Sequence, residues 1–215
     1  MKVNLESISE RNGVNFLSPT DKKIYSVGIS TGGSAEIKMA QADRERYIIA
    51  TTVDLAGHGY AKQCIRESGL SDQIEVKIED VSQPLPYPNC HFDYIYARLV
   101  LHYLAKDALT AALAQLYRVL RPEGKIFIAV RSVDCLEASD KAAKFDVLTG
   151  LTTYSSGGKS YSRYFHSQES IKEHLSLAGF AIKHMDAYQE QLCVDFQRAK
   201  LSSQIDSLIE VLAVK

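Results

Sequence analysis

Short apolar runs alternate along the chain with longer amphipathic segments, and this alternation predicts strands and helices in turn. Residues 125–131 are almost continuously apolar, as a central parallel strand requires when helices cover both faces of its sheet. Within residues 107–120 the leucines and alanines recur instead at helical spacing, and Pro122 and Gly124 mark the end of that helix. The predicted strands are residues 23–29, 47–54, 73–79, 92–97, 125–131, 181–188 and 207–214, and the predicted helices are residues 34–44, 61–68, 107–120 and 167–178.

The order of these elements predicts a single α/β domain over residues 1–215, with a Rossmann-like, doubly wound sheet of seven strands that is mostly parallel. No strong helical pattern lies between the last two predicted strands, so we expect them to pair as an antiparallel hairpin at one edge. The polar residues 132–166 fall outside the alternation. We expect them to form an insertion, either a flexible loop or a lid over a binding site.

Composition limits the class of protein. Hydrophobic residues make up 46% and charged residues 24%, a balance typical of a globular chain, and the net charge of −1 provides no overall field toward nucleic acid or anionic lipid. No run reaches the roughly 18 apolar residues of a membrane span, and the amino terminus lacks the apolar stretch of a signal peptide. The four cysteines show no metal-binding spacing. We therefore expect a cytoplasmic monomer or homodimer that binds no nucleic acid, membrane or metal.

A glycine-rich turn follows the first predicted strand and precedes the first predicted helix. Gly28, Gly32 and Gly33 let backbone N–H groups approach a ligand there, and the helix start adds free donors and a partial positive charge. Asp54 ends the second predicted strand, where a carboxylate can accept hydrogen bonds from ribose hydroxyls, although it equally suits the N-cap of the next helix. Asp80 ends the third predicted strand and is either an acceptor for an adenine amine or an ordinary turn residue.

Together with the segments downstream, these residues resemble the class I S-adenosylmethionine-dependent methyltransferases. Each motif is short, and the set gains its specificity from order and spacing over residues 24–214. The motifs are Asp80-Val81 with Leu85-Pro86-Tyr87, Phe92-Asp93-Tyr94-Ile95, Leu101-His102-Tyr103-Leu104, Arg118-Val119-Leu120-Arg121-Pro122-Glu123-Gly124-Lys125, and Arg163-Tyr164-Phe165 with Leu175 and Ala178-Gly179-Phe180.

The resemblance implies S-adenosylmethionine as the cofactor and an activity that transfers its methyl group. The sequence departs from the family at Ser26 and Ser30, where the family usually has an acidic residue and a glycine. A non-catalytic relative that binds the cofactor therefore stays open as an alternative function. By resemblance, Gly28, Ser30 and Gly32 lie beside the methionine part of the cofactor, Asp54 beside the ribose, Asp80 and Val81 beside the adenine, and Ala97 near the methionine amine and sulfonium. Leu55 is a further candidate cofactor-binding residue.

The methyl acceptor is expected to be a small molecule, because only about 22 residues precede the first strand and residues 132–166 must supply most of the cover. His102 follows the fourth predicted strand and is the candidate catalytic base, with packing in the core as the alternative. Arg98 and Arg131 near strand ends, with Tyr161 and Tyr164 in the insertion, are the candidate substrate residues. Solvated arginines and tyrosines packed beneath an ordinary loop are the alternative reading of that set.

A rival function from another class uses the same glycine turn. Gly28-Ile29-Ser30-Thr31-Gly32 fits the G-x-S-x-G pattern of a nucleophile elbow, which is typical of serine acyl hydrolases. No Asp in the chain is followed by Gly, so the dyad of patatin-type lipases is absent. The residues before the turn are also too few for the strands that precede the elbow in α/β-hydrolases. The hydrolase is therefore the more distant alternative.

Overall fold

The computed structural model of the chain describes residues 7–29, 31–156, 158–193 and 200–215. The helices in this part of the chain are α1 Ile8–Asn15, α2 Ser34–Gln41, α3 Leu55–Glu67, α4 Lys106–Val119 and α5 Gln168–Leu177. The strands are β1 Lys23–Val27, β2 Tyr47–Thr52, β3 Ile74–Ile78, β4 Phe92–Arg98, β5 Leu120–Arg131, β6 Lys144–Phe145, β7 Thr152–Ser156, β8 Lys159–Arg163, β9 Ala181–Glu190 and β10 Asp206–Val214.

The main sheet has seven strands in the order β3-β2-β1-β4-β5-β10-β9. Strands β3, β2, β1, β4 and β5 pair in parallel, and β10 runs antiparallel to both β5 and β9. The predicted fold class is confirmed, including the antiparallel edge. The chain leaves β1 toward one edge and returns to β4 on the other side of β1. A crevice for ligands opens beyond the strand ends at such a reversal of strand order.

Two apolar cores cover the two faces of this sheet. Successive residues of β4 alternate between them, since Ile95 belongs to the core under α4 and α5 while Tyr94 and Tyr96 belong to the core under α2 and α3. In β5, Ile128 and Phe127 divide in the same way. Burial on both faces explains why these strands are apolar without a gap. Helices on both sides hold the strand ends of the crevice in place.

Two helices differ from the sequence-based expectation. Helix α3 begins at Leu55 instead of residue 61, because the Asp54 side chain accepts hydrogen bonds from the first-turn amides of Ala56 and Gly57. The two glycines in its first half conceal the helical periodicity. Helix α1 was not predicted at all, since its eight residues are mostly polar. Its Ser7 N-cap accepts from the amide of Glu10, and its second half packs on β4 and β5.

The polar insertion contains regular structure. Strands β6, β7 and β8 form a separate three-stranded antiparallel sheet, with Tyr154 opposite Tyr161. The expectation of a flexible loop is therefore replaced by a small sheet between residues 144 and 163. Threonine and tyrosine suit a pleated surface even where hydropathy is low, which is why hydropathy alone did not reveal these strands.

The described helices are also short. The longest, α4, has 14 residues, and among the described residues no helix combines the length and apolar character that crossing a bilayer requires.

Candidate active site

A cavity of about 590 Å³ opens at the C-terminal ends of β1, β2, β3 and β4. Its volume falls in the range of small-molecule and cofactor sites. The predicted cofactor residues that line it are Gly28, Gly32, Asp54, Asp80 and Val81. The cavity therefore brings together predicted residues from the ends of three separate strands, β1, β2 and β3. Ser30 lies outside the described residues.

The turn after β1 depends on glycine at two positions. Gly28 has φ +77°, and a Cβ added there would lie 2.7 Å from Cγ2 of Val100. Gly32 has φ +71°, and an added Cβ would lie 3.1 Å from Sγ of Cys64. Side chains are disfavoured at both because the backbone is left-handed and the space is filled. At these two positions the turn therefore presents backbone to the cavity.

Asp54 has the capping role that the sequence left open. Its two carboxylate oxygens accept from the amides of Ala56 and Gly57, each at 3.0 Å. A carboxylate has about four acceptor positions, so these two bonds leave capacity for ribose hydroxyls. The side chain is exposed and lines the cavity, whereas the neighbouring Leu55 is 75% exposed and lies outside the lining.

Glu79 is a cavity residue that the sequence did not reveal. Its carboxylate accepts hydrogen bonds from the hydroxyls of Tyr25 and Tyr87, the latter at 2.9 Å. Burial and this carboxylate raise the pKa of Tyr25 and Tyr87 well above the ordinary tyrosine value. Asp80 beside it is exposed, and its Oδ1 accepts from the amide of Ser82 at 2.9 Å. Of the two acidic residues at the end of β3, Glu79 is thus held by two tyrosine hydroxyls and Asp80 faces solvent.

The end of β4 turns the chain into the cavity. Ala97 is fully buried within the sheet and is not a lining residue. Leu99 takes a left-handed conformation with φ 55°, which is sparsely populated for a leucine. After this turn Val100 and Tyr103 join Leu99 in lining the cavity. The apolar wall of the site therefore comes from residues just after the strand.

Arg98 contacts the start of α1. Its Nε donates to Oγ of Ser9 at 2.8 Å, and its Nη2 donates to Oγ of Ser7 at 2.6 Å. The Ser9 hydroxyl in turn donates to Oε2 of Glu190, at the end of β9, at 2.7 Å. Arg98 is not among the residues that line the cavity. It joins helix α1 to the same edge of the sheet on which the cavity opens.

Arg131 lies in a group of acids at the end of β5. Its Nη1 donates to Asp206 and to Oε1 of Glu137, the latter at 3.2 Å. Cys135, Glu137 and Asp206 place potential metal-ligand atoms within 4.8 Å of one another. The guanidinium groups of Arg131 and Arg163 already pair with the two carboxylates that a cation would need, so the group is an ion-pair cluster.

His102 is 1% exposed and lies outside the cavity lining. Burial, together with the positive charges of Arg163 and Arg131, lowers its pKa well below the ordinary histidine value. Its backbone carbonyl accepts from the amide of Tyr164 at 2.7 Å, which fixes the insertion's end to the loop after β4. Its ring packs on Tyr103, with centroids 4.5 Å apart, and Tyr103 does line the cavity.

The insertion reaches the cavity through a group of tyrosines. The Arg163 guanidinium carbon lies 5.4, 5.5 and 5.8 Å from the ring centroids of Tyr103, Tyr154 and Tyr161, distances suited to cation–π attraction. Tyr164 belongs to a different group, since its hydroxyl lies 3.2 Å from Nε2 of His174 on α5. Of the two predicted tyrosines, Tyr161 is thus joined to the cavity rim by Arg163.

Comparisons with known proteins agree with this geometry. Residues 26–128 match the family model of a methyltransferase domain. A SAM-dependent methyltransferase from Methanosarcina mazei is 15% identical, with TM-score 0.75 over 94% of this chain and 95% of that chain. The CcbJ methyltransferase from Streptomyces caelestis is 11% identical, with TM-score 0.71 over 96% and 94%. The [4+2]-cyclase SpnF is 19% identical, with TM-score 0.66 over 96% and 80%.

Among curated proteins, none matches the chain by sequence. The structural similarities, all below 25% identity, establish the fold, and the domain match places the methyltransferase motifs on β1 to β5. The family and the structural neighbours imply S-adenosylmethionine as the cofactor. The chain therefore matches a methyltransferase domain over residues 26–128 and has the fold of S-adenosylmethionine-dependent methyltransferases.

Proposed function

We propose that the chain is an enzyme that transfers the methyl group of S-adenosylmethionine to a small-molecule acceptor. The observation that carries this proposal is the 590 Å³ cavity, whose lining combines the glycine turn after β1 with carboxylates from the ends of β2 and β3. In this assignment Gly28 and Gly32 lie beside the methionine part, and Ser30 is assigned there by resemblance alone. Asp54 accepts from the ribose. Asp80 and Val81 hold the adenine.

We assign the acceptor to the side of the cavity where Tyr103 meets the insertion. Bound S-adenosylmethionine supplies an electrophilic methyl group, and the chain's own residues align the acceptor and exclude water. Tyr103, 53% exposed at the rim, is the residue that connects the cavity to Arg163 and Tyr161. Residues 132–166 act in this proposal as the lid. Ala97 is assigned through its backbone at the end of β4.

The remaining substrate and catalytic assignments have different structural support. The His102 ring is neutral and could accept a proton, but it is buried behind Tyr103. It can act as the proposed base only after a rearrangement that exposes the ring. Arg98 donates a hydrogen bond to Ser9, and Arg131 donates one to Asp206. Each arginine would bind an acceptor only after breaking that hydrogen bond. Tyr164 and Leu55 are assigned to the site by sequence alone. A general base is not obligatory for methyl transfer to an acceptor that carries no proton.

Calorimetric titration with S-adenosylmethionine and S-adenosylhomocysteine tests the cofactor assignment directly. We expect both ligands to bind, and formation of S-adenosylhomocysteine to depend on a small acceptor when a panel of alcohols, amines, thiols and carboxylic acids is offered. The absence of binding at millimolar ligand would contradict the proposal. We also propose a cytoplasmic location and a monomer or homodimer, which fractionation of cells and sedimentation analysis would test.

A second candidate function is cofactor binding without methyl transfer. The serines at positions 26 and 30 favour it, and SpnF is a cyclase on a similar fold. Tight binding of S-adenosylmethionine with no S-adenosylhomocysteine formed over the whole panel would support it. Labelling of Ser30 by a fluorophosphonate would instead support the acyl hydrolase.

The two roles of Asp54 can be separated by a matched pair of variants. Asp54→Ala removes both the cap of α3 and the carboxylate, so we expect it to lower the free energy of unfolding by about 0.5–2 kcal/mol. Asp54→Ser retains a capping hydroxyl and should leave stability nearly unchanged. Both variants lose charge-assisted hydrogen bonds to the ribose and should bind S-adenosylmethionine roughly tenfold more weakly or worse. Calorimetry and urea denaturation measure the two effects, and undiminished affinity in Asp54→Ser would contradict the ribose assignment.

A further inference from the structure

A buried carboxylate lies beneath the glycine turn. Ser26 in β1 is 1% exposed, and its hydroxyl donates a hydrogen bond to Oε1 of Glu36 in the first turn of α2. Glu36 is itself only 3% exposed. Burial of an ionised carboxylate is unfavourable unless hydrogen bonds or a positive charge compensate for the lost water. The Ser26 hydroxyl supplies one such hydrogen bond.

The position of this carboxylate matters more than its burial. Ser26 precedes Gly28 by two residues, and Gly28 lines the cavity. The other oxygen, Oε2, faces the turn, since a Cβ built on Gly33 would lie 3.7 Å from it. The Glu36 carboxylate therefore lies between the end of β1 and the turn that borders the cavity. This is the region assigned to the methionine part of the cofactor.

We propose that Glu36, held by Ser26, supplies the negative charge that recognises the cationic methionine part of S-adenosylmethionine, in place of the acid that related enzymes have at position 26. The inference rests on the proposed function. Here β1 provides a hydroxyl and α2 provides the carboxylate, so the charge is retained near the same strand end. Glu36 is 3% exposed and is not a lining residue of the cavity, so it acts on the ammonium and sulfonium groups by its charge from beneath the turn and not by direct contact.

A purely structural role for Glu36 makes a different prediction. An acid in the first turn of α2 interacts favourably with the helix dipole, whatever the ligand. Loss of that interaction would change stability and would affect all ligands of the cavity alike. The two roles are therefore distinguished by ligands that share adenosine but differ in charge. Among cationic groups, S-adenosylmethionine carries both a sulfonium and an ammonium, S-adenosylhomocysteine carries the ammonium alone, and 5′-methylthioadenosine carries neither. The first two also share a carboxylate.

Glu36→Gln removes the charge and keeps the size of the side chain and an oxygen for the Ser26 hydroxyl. We expect S-adenosylmethionine to bind roughly ten- to a hundredfold more weakly, as is usual for loss of a charged partner. S-adenosylhomocysteine should lose less, and 5′-methylthioadenosine should bind within about twofold of its wild-type affinity. Isothermal titration of each ligand, beside thermal melting of each variant, gives the readout.

A charge relocation provides the second arm. Ser26→Asp combined with Glu36→Gln returns a carboxylate to the strand end and should recover most of the lost affinity for S-adenosylmethionine. Glu210→Gln is the matched control, because Glu210 is also buried but contacts Asn12 and Tyr188 away from the cavity lining. It should leave all three affinities unchanged. Ser26→Ala tests the same contact by an independent change and should give a smaller, equally charge-dependent loss.

Two results would overturn the inference alone. One is a wild-type chain that binds S-adenosylmethionine while Glu36→Gln binds it equally well. The other is an equal loss for all three ligands, which would assign Glu36 a structural role. A wild-type chain that binds neither S-adenosylmethionine nor S-adenosylhomocysteine would contradict the proposed function, and this inference with it.

Discussion

Gly13→Ala is expected to destabilise the fold by about 1–3 kcal/mol, the usual range for overpacking a core. Gly13 lies within α1, where a helix would ordinarily favour alanine. A Cβ built at this position, however, would lie 2.5 Å from Cε2 of Tyr96 and 2.6 Å from Cδ1 of Phe127. These two rings are stacked with centroids 5.7 Å apart, and both are buried in a core where side chains are closely packed. The glycine is what allows α1 to approach β4 and β5.

Gly59→Ala is the control for this prediction. Gly59 also lies inside a helix, α3, but an added Cβ would have no described atom within 4 Å. The same substitution should therefore stabilise the protein by about 0.5–1 kcal/mol through the better helix propensity of alanine. Urea denaturation of both variants beside the wild type measures the difference. Equal effects of the two substitutions would show that α1 does not pack on the rings as closely as the structure indicates.

The sheet could be predicted from sequence because its information is local. Residues 125–131 read as a buried strand from composition alone, and the antiparallel pairing of β9 with β10 followed from the lack of a helix between them. The glycines and acids at the strand ends were likewise predictable, since a parallel sheet brings the C-terminal ends of its strands to one edge. That Gly28, Asp54 and Asp80 all line the cavity could therefore be predicted without knowledge of contacts between side chains.

The contacts that the sequence did not reveal join residues far apart in the chain. Glu79 is bound by Tyr25, 54 residues earlier, and Arg98 is bound by Ser9, 89 residues earlier. No periodicity encodes such pairs, because they depend on how the elements pack. The contact of Ser26 with Glu36 spans only ten residues, yet it crosses a turn whose course sequence does not specify. Prediction therefore succeeded for the positions of strand ends and failed for the partners of individual side chains.

Acid should weaken the fold strongly, because two histidines are buried in the neutral form, His166 at the end of the insertion and His102 in the loop that contacts it. Burial lowers the pKa of His166 to about 3, and burial with nearby arginines lowers the pKa of His102 well below its usual value. In the described part of the chain, Nε2 of His166 and Nδ1 of His102 have no hydrogen-bond partner that would offset protonation. Each ring is therefore neutral in the folded protein, and its protonation favours the unfolded state.

The sign of the effect follows from where each state takes up its proton. The unfolded chain binds a proton at each histidine near pH 6.5, whereas the folded chain does so only far below that value. Their contribution to stability is thus complete above about pH 6.5 and is lost as the pH falls below it. Each histidine loses about 1.4 kcal/mol per pH unit in that window, so the pair should lower the free energy of unfolding by about 2–3 kcal/mol between pH 7.5 and pH 5.5.

Urea denaturation at pH 7.5 and pH 5.5 tests this for the wild type, His166→Gln and His102→Gln. Each single variant should lose about half of the pH-dependent difference, and the double variant most of it. If the difference between the two pH values is the same in both single variants and in the double variant as in the wild type, other groups cause the acid sensitivity. His174 is the next group to replace, because burial also lowers its pKa. The outcome also bears on catalysis. A His102 that stays neutral throughout this range cannot produce a fall in activity near pH 6.5. We therefore expect no such fall in the rate of methyl transfer while the protein stays folded. A fall near pH 6.5 that disappears in His102→Gln would mean that His102 becomes exposed in the working enzyme.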